Sequence, residues 1–399
     1  MDISGIHGRI AYWRQRRGMT QDDFAARLGR SRSWVQKLEA GDRQSDPRIS
    51  VLELIAETLT VPLETLLGVE RDNDKECVDA TEISEIRATL MRPDVITGFV
   101  ANKMKSDSKL VRRNVSYGFD AYQSAHYSTL GRILPNLIVD AQRATSLEDL
   151  DTFATLSDVY HLTTLVLMKF SAADLAWHAA DRALTTAYTS GNPVSIGLAA
   201  QALTYAMSSR GEERAGVDVS TTTAAAIRDE LVSLGPPGWT VYGMLFLKAA
   251  VAAASASDGD AARNLLKEAR DAAAHIGDRN DFHTGFGITN CLLHEASILS
   301  QLGEHGASLA AARLIIPASF ASLPRERRTH HLIDTAVSYY RSRQVDNALI
   351  SLLEAERLGA QEVHCRPASR QIIGEMLHFA AGSSSSRLRA LAERSGVAI

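Results

Sequence analysis

MTQDDFAARLGRSRSWVQKLEAG, residues 19–41, divides into two short helices and the tight turn between them. Thr20 suits the first N-cap, because its hydroxyl can accept a hydrogen bond from an otherwise unpaired amide of the first turn. Asp22 and Asp23 then lie at the positive end of the helix dipole. Phe24, Ala25 and Leu28 recur at helical spacing and form an apolar stripe. Gly29 ends that helix, and Ser31 or Ser33 can open the next. In the second helix Val35 and Leu38 point inward, whereas Arg32, Ser33, Trp34, Gln36 and Lys37 point outward. Gly41 stops it, being free to take a left-handed conformation.

Outward from this stretch, apolar spacing predicts five helices, near 6–16, 20–28, 31–40, 49–59 and 62–67. A short helix, a turn and a second helix with an outward polar face have helix-turn-helix geometry, in which the second helix enters a DNA major groove. Charge agrees with that expectation. From Arg9 to Arg48 ten Lys or Arg stand against five Asp or Glu, a balance of +5, whereas residues 69–399 carry −5. A basic head on a neutral-to-acidic body is the electrostatic footprint of a small nucleic-acid-binding module. Residues 69–81, VERDNDKECVDAT, are polar and predict a linker between a head of 1–68 and a body of 82–399.

A chain of 399 residues holds two or three domains, and 45% hydrophobic with 23% charged residues is the profile of a soluble globular protein. No apolar run reaches membrane-spanning length and no apolar signal region opens the chain, so the expectation is a cytoplasmic, nucleoid-associated protein without a membrane partner. Cys77, Cys291 and Cys365 are odd in number and far apart, which gives neither a disulfide framework nor zinc spacing.

From about Glu82 onward the pattern is helical, with abundant alanine and with Pro193, Pro236, Pro237, Pro317 and Pro324 between segments. Small residues recur twelve positions apart on successive helices: Ala250 with Ala262, Ala296 with Ser308, Ala336 with Ala348. Thr164 with Ala176 and Leu203 with Ala215 fit less well. Small residues at two such points let paired helices cross closely, and flanking apolar residues lock one pair on the next. The expected fold is all-α: a five-helix helix-turn-helix domain followed by a tetratricopeptide-like α-solenoid.

Residues 9–67 resemble the Cro/repressor-type (XRE) helix-turn-helix family through Gln21, the RSRSWVQKLEAG helix and the closing VPLETLLG. Residues 82–399 resemble the helical-repeat portion of quorum-sensing-type regulators, in FGITNCLLHEA and LLEAERLGAQEVHCRPA. The repeats depart from the tetratricopeptide consensus in longer anchor spacing and in mostly lacking its terminal proline. The first resemblance implies that Gln21 clamps the DNA backbone at a helix N-terminus. Arg32, Ser33 and Lys37 then face base edges, beside Gln36, and Arg32 can fork onto guanine O6 and N7. Trp34 either covers a thymine methyl or sugar or packs against the neighbouring helices. Arg14 and Arg43, with Arg16 and Arg17, are placed to reach phosphates. One small head implies a homodimer on an inverted-repeat operator in double-stranded DNA.

In tetratricopeptide arrays the residues six and three before the small anchor, and one, four and five after it, face the groove. Carried over, that rule selects Asp158, His161, Lys169, Asn290, Gln301, His330, Tyr340 and Arg341, and a weaker unit near Phe119 adds Arg113, Asp120 and Gln123. Amides, imidazoles and a guanidinium on a groove suit a peptide or polar small-molecule effector. The alternative is a scaffold whose repeats bind a protein partner. No cofactor motif and no metal site are expected: Cys291 and His294 lack a second pair nearby, and no nucleophile elbow, phosphate loop or His-Glu-x-x-His occurs. The chain is therefore not expected to be an enzyme.

Overall fold

A computed structural model of the chain describes residues 6–17, 19–41, 49–59, 61, 63–67, 80–97, 106–378 and 383–397. It divides into two compact units, Met1–Lys75 and Glu76–Ile399. Regular structure among the described residues is helical, apart from one isolated bridge between Ser146 and Asp149. The expected linker 69–81 lies outside the described residues as far as residue 79.

The first unit holds α1 (Ile6–Arg16), α2 (Gln21–Arg27), α3 (Arg32–Ala40), α4 (Ile49–Leu59) and α5 (Leu63–Leu67). Thr20 and Asp23 form a reciprocal capping box on α2: Thr20 Oγ1 accepts from the Asp23 amide at 3.1 Å, and Asp23 Oδ2 accepts from the Thr20 amide at 3.0 Å. Ser31 opens α3 by accepting from the Trp34 amide at 3.2 Å. Gly41 closes it at φ 73°, where a side chain would be strained. Val35 and Leu38 of α3 pack into a core with Ile10, Trp13, Phe24, Leu52, Ile55, Leu59 and Leu66. Burying each such side chain contributes about 1.5–3 kcal/mol, so the polar half of α3 is forced outward.

The second unit is a tetratricopeptide-like α-solenoid. It opens with α6 (Ala80–Leu90) and α7 (Pro93–Thr97), and then stacks helix pairs. These are α8 (Ser108–Gln123) with α9 (Tyr127–Ala144), α10 (Asp151–Lys169) with α11 (Ala173–Ser190), and α12 (Pro193–Ser208) with α13 (Glu213–Ala226). After the short α14 (Arg228–Ser233) come α15 (Pro236–Ser255) with α16 (Gly259–Ala274), and α17 (Ile288–Gln301) with α18 (His305–Arg313). The short α19 (Pro317–Ser322) precedes α20 (Arg325–Arg341) with α21 (Val345–Leu358). The array ends in α22 (Ala360–Cys365), α23 (Pro367–Leu377) and α24 (Ser383–Arg394).

The small anchors lie at the crossings within pairs. Ala250, Ala262, Ala336 and Ala348 are fully buried, and Ser308 Oγ donates to the Ala296 carbonyl at 2.7 Å. Thr164 Oγ1 donates likewise to the Ala176 carbonyl at 3.4 Å. The pairing of Leu203 with Ala215 is corrected by one residue. Thr204 Oγ1 donates to the Gly216 carbonyl at 3.0 Å, and Ala215 is exposed. The reason is steric: a Cβ on Gly216 would come within 3.2 Å of the Thr204 carbonyl oxygen, so the smallest residue takes the closest point.

The last helices return to the first ones. Tyr127 Oη donates to Glu362 Oε2 at 2.6 Å, and the Ser128 amide donates to Gln361 Oε1 at 3.1 Å; the loop between α16 and α17 also reaches α8, where Gln123 Nε2 donates to Asn280 Oδ1 at 3.0 Å. Cys291 is free and buried. Cys365 is disulfide-bonded, a bond that the odd, scattered cysteines do not suggest.

Candidate nucleic-acid interface and interior cavity

Arg32, Ser33, Gln36 and Lys37 are exposed along one face of α3. Arg32 Nη1 donates to Asp22 Oδ2 at 3.0 Å, with the two side chains 59% and 62% exposed. A pair that open is worth about 0–1 kcal/mol, so the guanidinium is easily released to another acceptor. Trp34 is half-buried, packs on the core of the first unit and carries the Arg30 guanidinium 5.6 Å over its ring.

Arg14 is corrected as a candidate phosphate contact. Its side chain is buried, with Nε 2.5 Å and Nη2 2.9 Å from the two Glu39 carboxylate oxygens and Nη1 donating to the Met19 carbonyl at 2.7 Å. A guanidinium that saturates a buried carboxylate through its planar fork is positioned to lock α1 to α3. Gln21 joins the same carboxylate, donating from Nε2 to Glu39 Oε2 at 2.9 Å. The Gln21 side chain thereby has a fixed direction at the start of α2. Arg17 donates to the Leu59 carbonyl at 2.9 Å and lies 5.0 Å over the Trp13 ring. Arg43 and the side chain of Arg16 lie outside the described residues.

The second unit holds a partly open cavity of about 330 Å³, walled by α8, α10, α12, α15, α17, α20 and the loop around His283. Gln123, His161, Lys169, Gln301 and His330 line it. Asp158, Asn290, Tyr340 and Arg341 do not. Burial lifts the Asp158 carboxyl to about 7, against the opposing pull of the Arg112 charge on α8. Asn290 is wholly buried behind the wall, with Nδ2 3.8 Å from Met244 Sδ. Tyr340 and Arg341 lie at the far end of α20 and engage Glu375: the Tyr340 hydroxyl donates to its carbonyl at 3.3 Å, and Arg341 Nη2 is 2.9 Å from its carboxylate. Arg113 and Asp120 are exposed.

Sequence reasoning missed the whole α12 wall. Counted from Thr204 instead of Leu203, the groove offsets give Leu198, Gln201, Tyr205, Ser208 and Ser209, and all five line the cavity. Lys248, Arg327, His331, Asp334 and Arg366 also face it. A lysine inside the otherwise apolar α15 was the available signal for Lys248, because an uncompensated charge there opposes burial.

Charges at one end of the cavity are strongly coupled. Lys169 Nζ lies 2.5 Å from Glu326 Oε1 and 2.8 Å from Glu362 Oε1, with all three side chains nearly inaccessible. Arg366 Nη1 approaches Glu362 Oε1 at 3.2 Å. Burial opposes charging at Glu326, yet Lys169 and then Arg327 outweigh it and hold the carboxyl below its ordinary value. Elsewhere burial dominates: it pushes His161 down to about 3 and His331 to about 4, and it drops Lys248 to about 7. His294 and His330 are held well below their ordinary value by the same cause. Glu326, His330 and Glu362 converge closely enough to ligate a metal ion. The Lys169 ammonium sits between two of those carboxylates and already supplies the positive charge.

Among known proteins, residues 10–66 match the helix-turn-helix family. No curated protein matches the chain. The crystal structure of Bacillus thuringiensis PlcR in complex with the peptide PapR7 and DNA is similar at 12% identity, over 86% of this chain and 99% of that one, with a TM-score of 0.34. No described helix is long and apolar enough to cross a membrane.

Proposed function

We propose that this chain, whose first unit is a Cro/repressor-type helix-turn-helix domain, is a sequence-specific DNA-binding transcriptional regulator of the cytoplasm and nucleoid. In this reading α3 enters the major groove of an operator, and the cavity of the second unit receives a peptide or small-molecule effector. One observation carries it. Arg32, Ser33, Gln36 and Lys37 stand exposed on α3 while Val35 and Leu38 of the same helix are wholly buried. A helix held so firmly by one face presents the other as a rigid reading edge. Arg32 forks onto guanine O6 and N7, a contact worth about 1–3 kcal/mol of discrimination. Gln21, held by Glu39 at the start of α2, meets the DNA backbone.

One small head covers only about 600–1,000 Å² of DNA, too little for tight specific binding. The protein therefore acts as a homodimer on an inverted repeat, with half-sites one helical turn apart or a multiple of it. A bound dimer obstructs polymerase, which makes repression the default sign. The effector must bind one dimer geometry better than the other to change DNA affinity, and about 1.4 kcal/mol of preference shifts the balance tenfold. A cavity of about 330 Å³ suits a compact effector better than a folded protein partner.

Selection of bound sites from random duplexes, with and without the small-molecule fraction of a cell extract, tests this. The expected result is one half-site repeated in inverted orientation, with enrichment altered by the fraction. Failure to enrich any sequence overturns it.

A further inference from the structure

Four cations face the cavity: Lys169, Lys248, Arg327 and Arg366. Three have carboxylate partners. Lys169 lies between Glu326 and Glu362, Arg366 is 3.2 Å from Glu362, and Arg327 is 3.8 Å from Glu326. Lys248 has no ion-pair partner among the described residues, and its ammonium lies 5.1 Å over the Tyr205 ring. The remaining wall carboxylate, Asp334, lies on α20 beside the neutral His330, with Nε2 at 3.7 Å, and burial raises its pKa above the ordinary value. Lys248 is therefore the one cavity cation among the described residues with no carboxylate within ion-pair distance.

A second, independent feature lies beside it. Gln201 is only 4% exposed, faces the cavity, and its Nε2 has no hydrogen-bond partner. Gln201 sits one turn before Tyr205 on the same face of α12, and Tyr205 carries the ring that Lys248 covers. A buried donor without an acceptor opposes folding, a penalty that a bound acceptor relieves. One turn away on each helix the wall becomes apolar, through Met244 on α15 and Leu198 on α12.

Resting on the sensor reading above, we infer that the cavity takes a compact organic acid. Its carboxylate pairs with Lys248 and accepts from Gln201, and its apolar part lies against Leu198 and Met244. Burial, followed by repulsion from Arg327, drops the Lys248 ammonium to about 7, and an arriving carboxylate reverses that shift. A free peptide carboxy-terminus and a non-peptide acid share this chemistry.

The test is calorimetric titration of the full chain with two acid–amide pairs. One is 4-phenylbutyrate against 4-phenylbutanamide, and the other is leucyl-phenylalanine against its carboxy-terminal amide. At least one acid is expected to bind tenfold or more tighter than its amide, and the pair that shows this identifies the source as peptide or non-peptide. K248M removes the preference and K248R retains it. Methionine replaces an unpaired, half-buried ammonium with apolar volume, and a retained helical melting transition verifies that K248M folds. Equal binding of acids and amides, no acid binding below millimolar, or an acid preference surviving in K248M overturns the inference. Acid binding at Lys248 that leaves DNA affinity unchanged upholds the carboxylate site and overturns the sensor reading. An amide that binds as tightly as its acid and alters DNA affinity does the reverse.

Discussion

Lys169 Nζ lies 2.5 Å from Glu326 Oε1 although 157 positions separate the two residues in sequence. Glu362, on α22, completes the cluster from 193 positions away, and it also accepts from Tyr127 on α9. One ammonium thus ties the second helix pair of the array to its last turns. Lys169→Met removes the ammonium shared by two buried carboxylates and leaves Glu326 only the more distant Arg327 and Glu362 only Arg366, which costs about 3–5 kcal/mol. Urea unfolding of the variant should show a lower midpoint, and an unchanged midpoint contradicts the role given to the cluster.

Arg14 makes the equivalent prediction for the first unit. Because it is spent on Glu39, Arg14→Met should lower the stability of the helix-turn-helix unit by about 3–5 kcal/mol. It should not change the slope of DNA affinity against salt, since no phosphate contact is removed. A slope reduced by about one unit, with stability intact, would return Arg14 to the DNA surface.

Acid should weaken the fold earlier than carboxylate titration alone would. Burial holds His161 at about 3, His331 at about 4, and His294 and His330 well below the ordinary value. Unfolded, each takes a proton near its ordinary 6.5. Their contribution is therefore complete above about 6.5 and is lost as pH falls below it, at about 1.4 kcal/mol per pH unit for each histidine. Denaturation midpoints measured from pH 7.5 to 5 should fall steadily. A flat profile over that range contradicts the buried, neutral state of these side chains.

Sedimentation of the protein at micromolar concentration with its selected duplex should give two chains per duplex. A single chain bound tightly to an isolated half-site contradicts the dimer.

The helices of the first unit were legible almost residue for residue, because short-range signals set them: Thr20 and Ser31 cap, Gly41 terminates, and Val35 and Leu38 mark the buried face. The solenoid was legible wherever two small residues meet at a crossing, as at Ala250 and Ala262. It slipped at Leu203, paired in sequence with Ala215, because the crossing is one residue further on, where the Thr204 hydroxyl bonds the Gly216 carbonyl. That one-residue slip hid the α12 wall of the cavity. Arg14, Tyr340 and Arg341 were misplaced for a different reason. Periodicity tells which way a side chain leaves its helix, whereas the groups that capture these residues are distant in sequence: the Glu39 carboxylate for Arg14, the Glu375 carboxylate for Arg341 and the Glu375 backbone carbonyl for Tyr340.

Reading of base edges by α3 is tested most directly by Arg32→Ala, titrated against the selected operator and against a scrambled duplex of the same length. Removing a bidentate base contact predicts a loss of about 1–3 kcal/mol on the operator, roughly 5- to 150-fold in affinity, and a much smaller loss on the scrambled duplex. Equal losses on the two duplexes would reduce Arg32 to a nonspecific phosphate contact and contradict the assignment of α3 as the recognition helix.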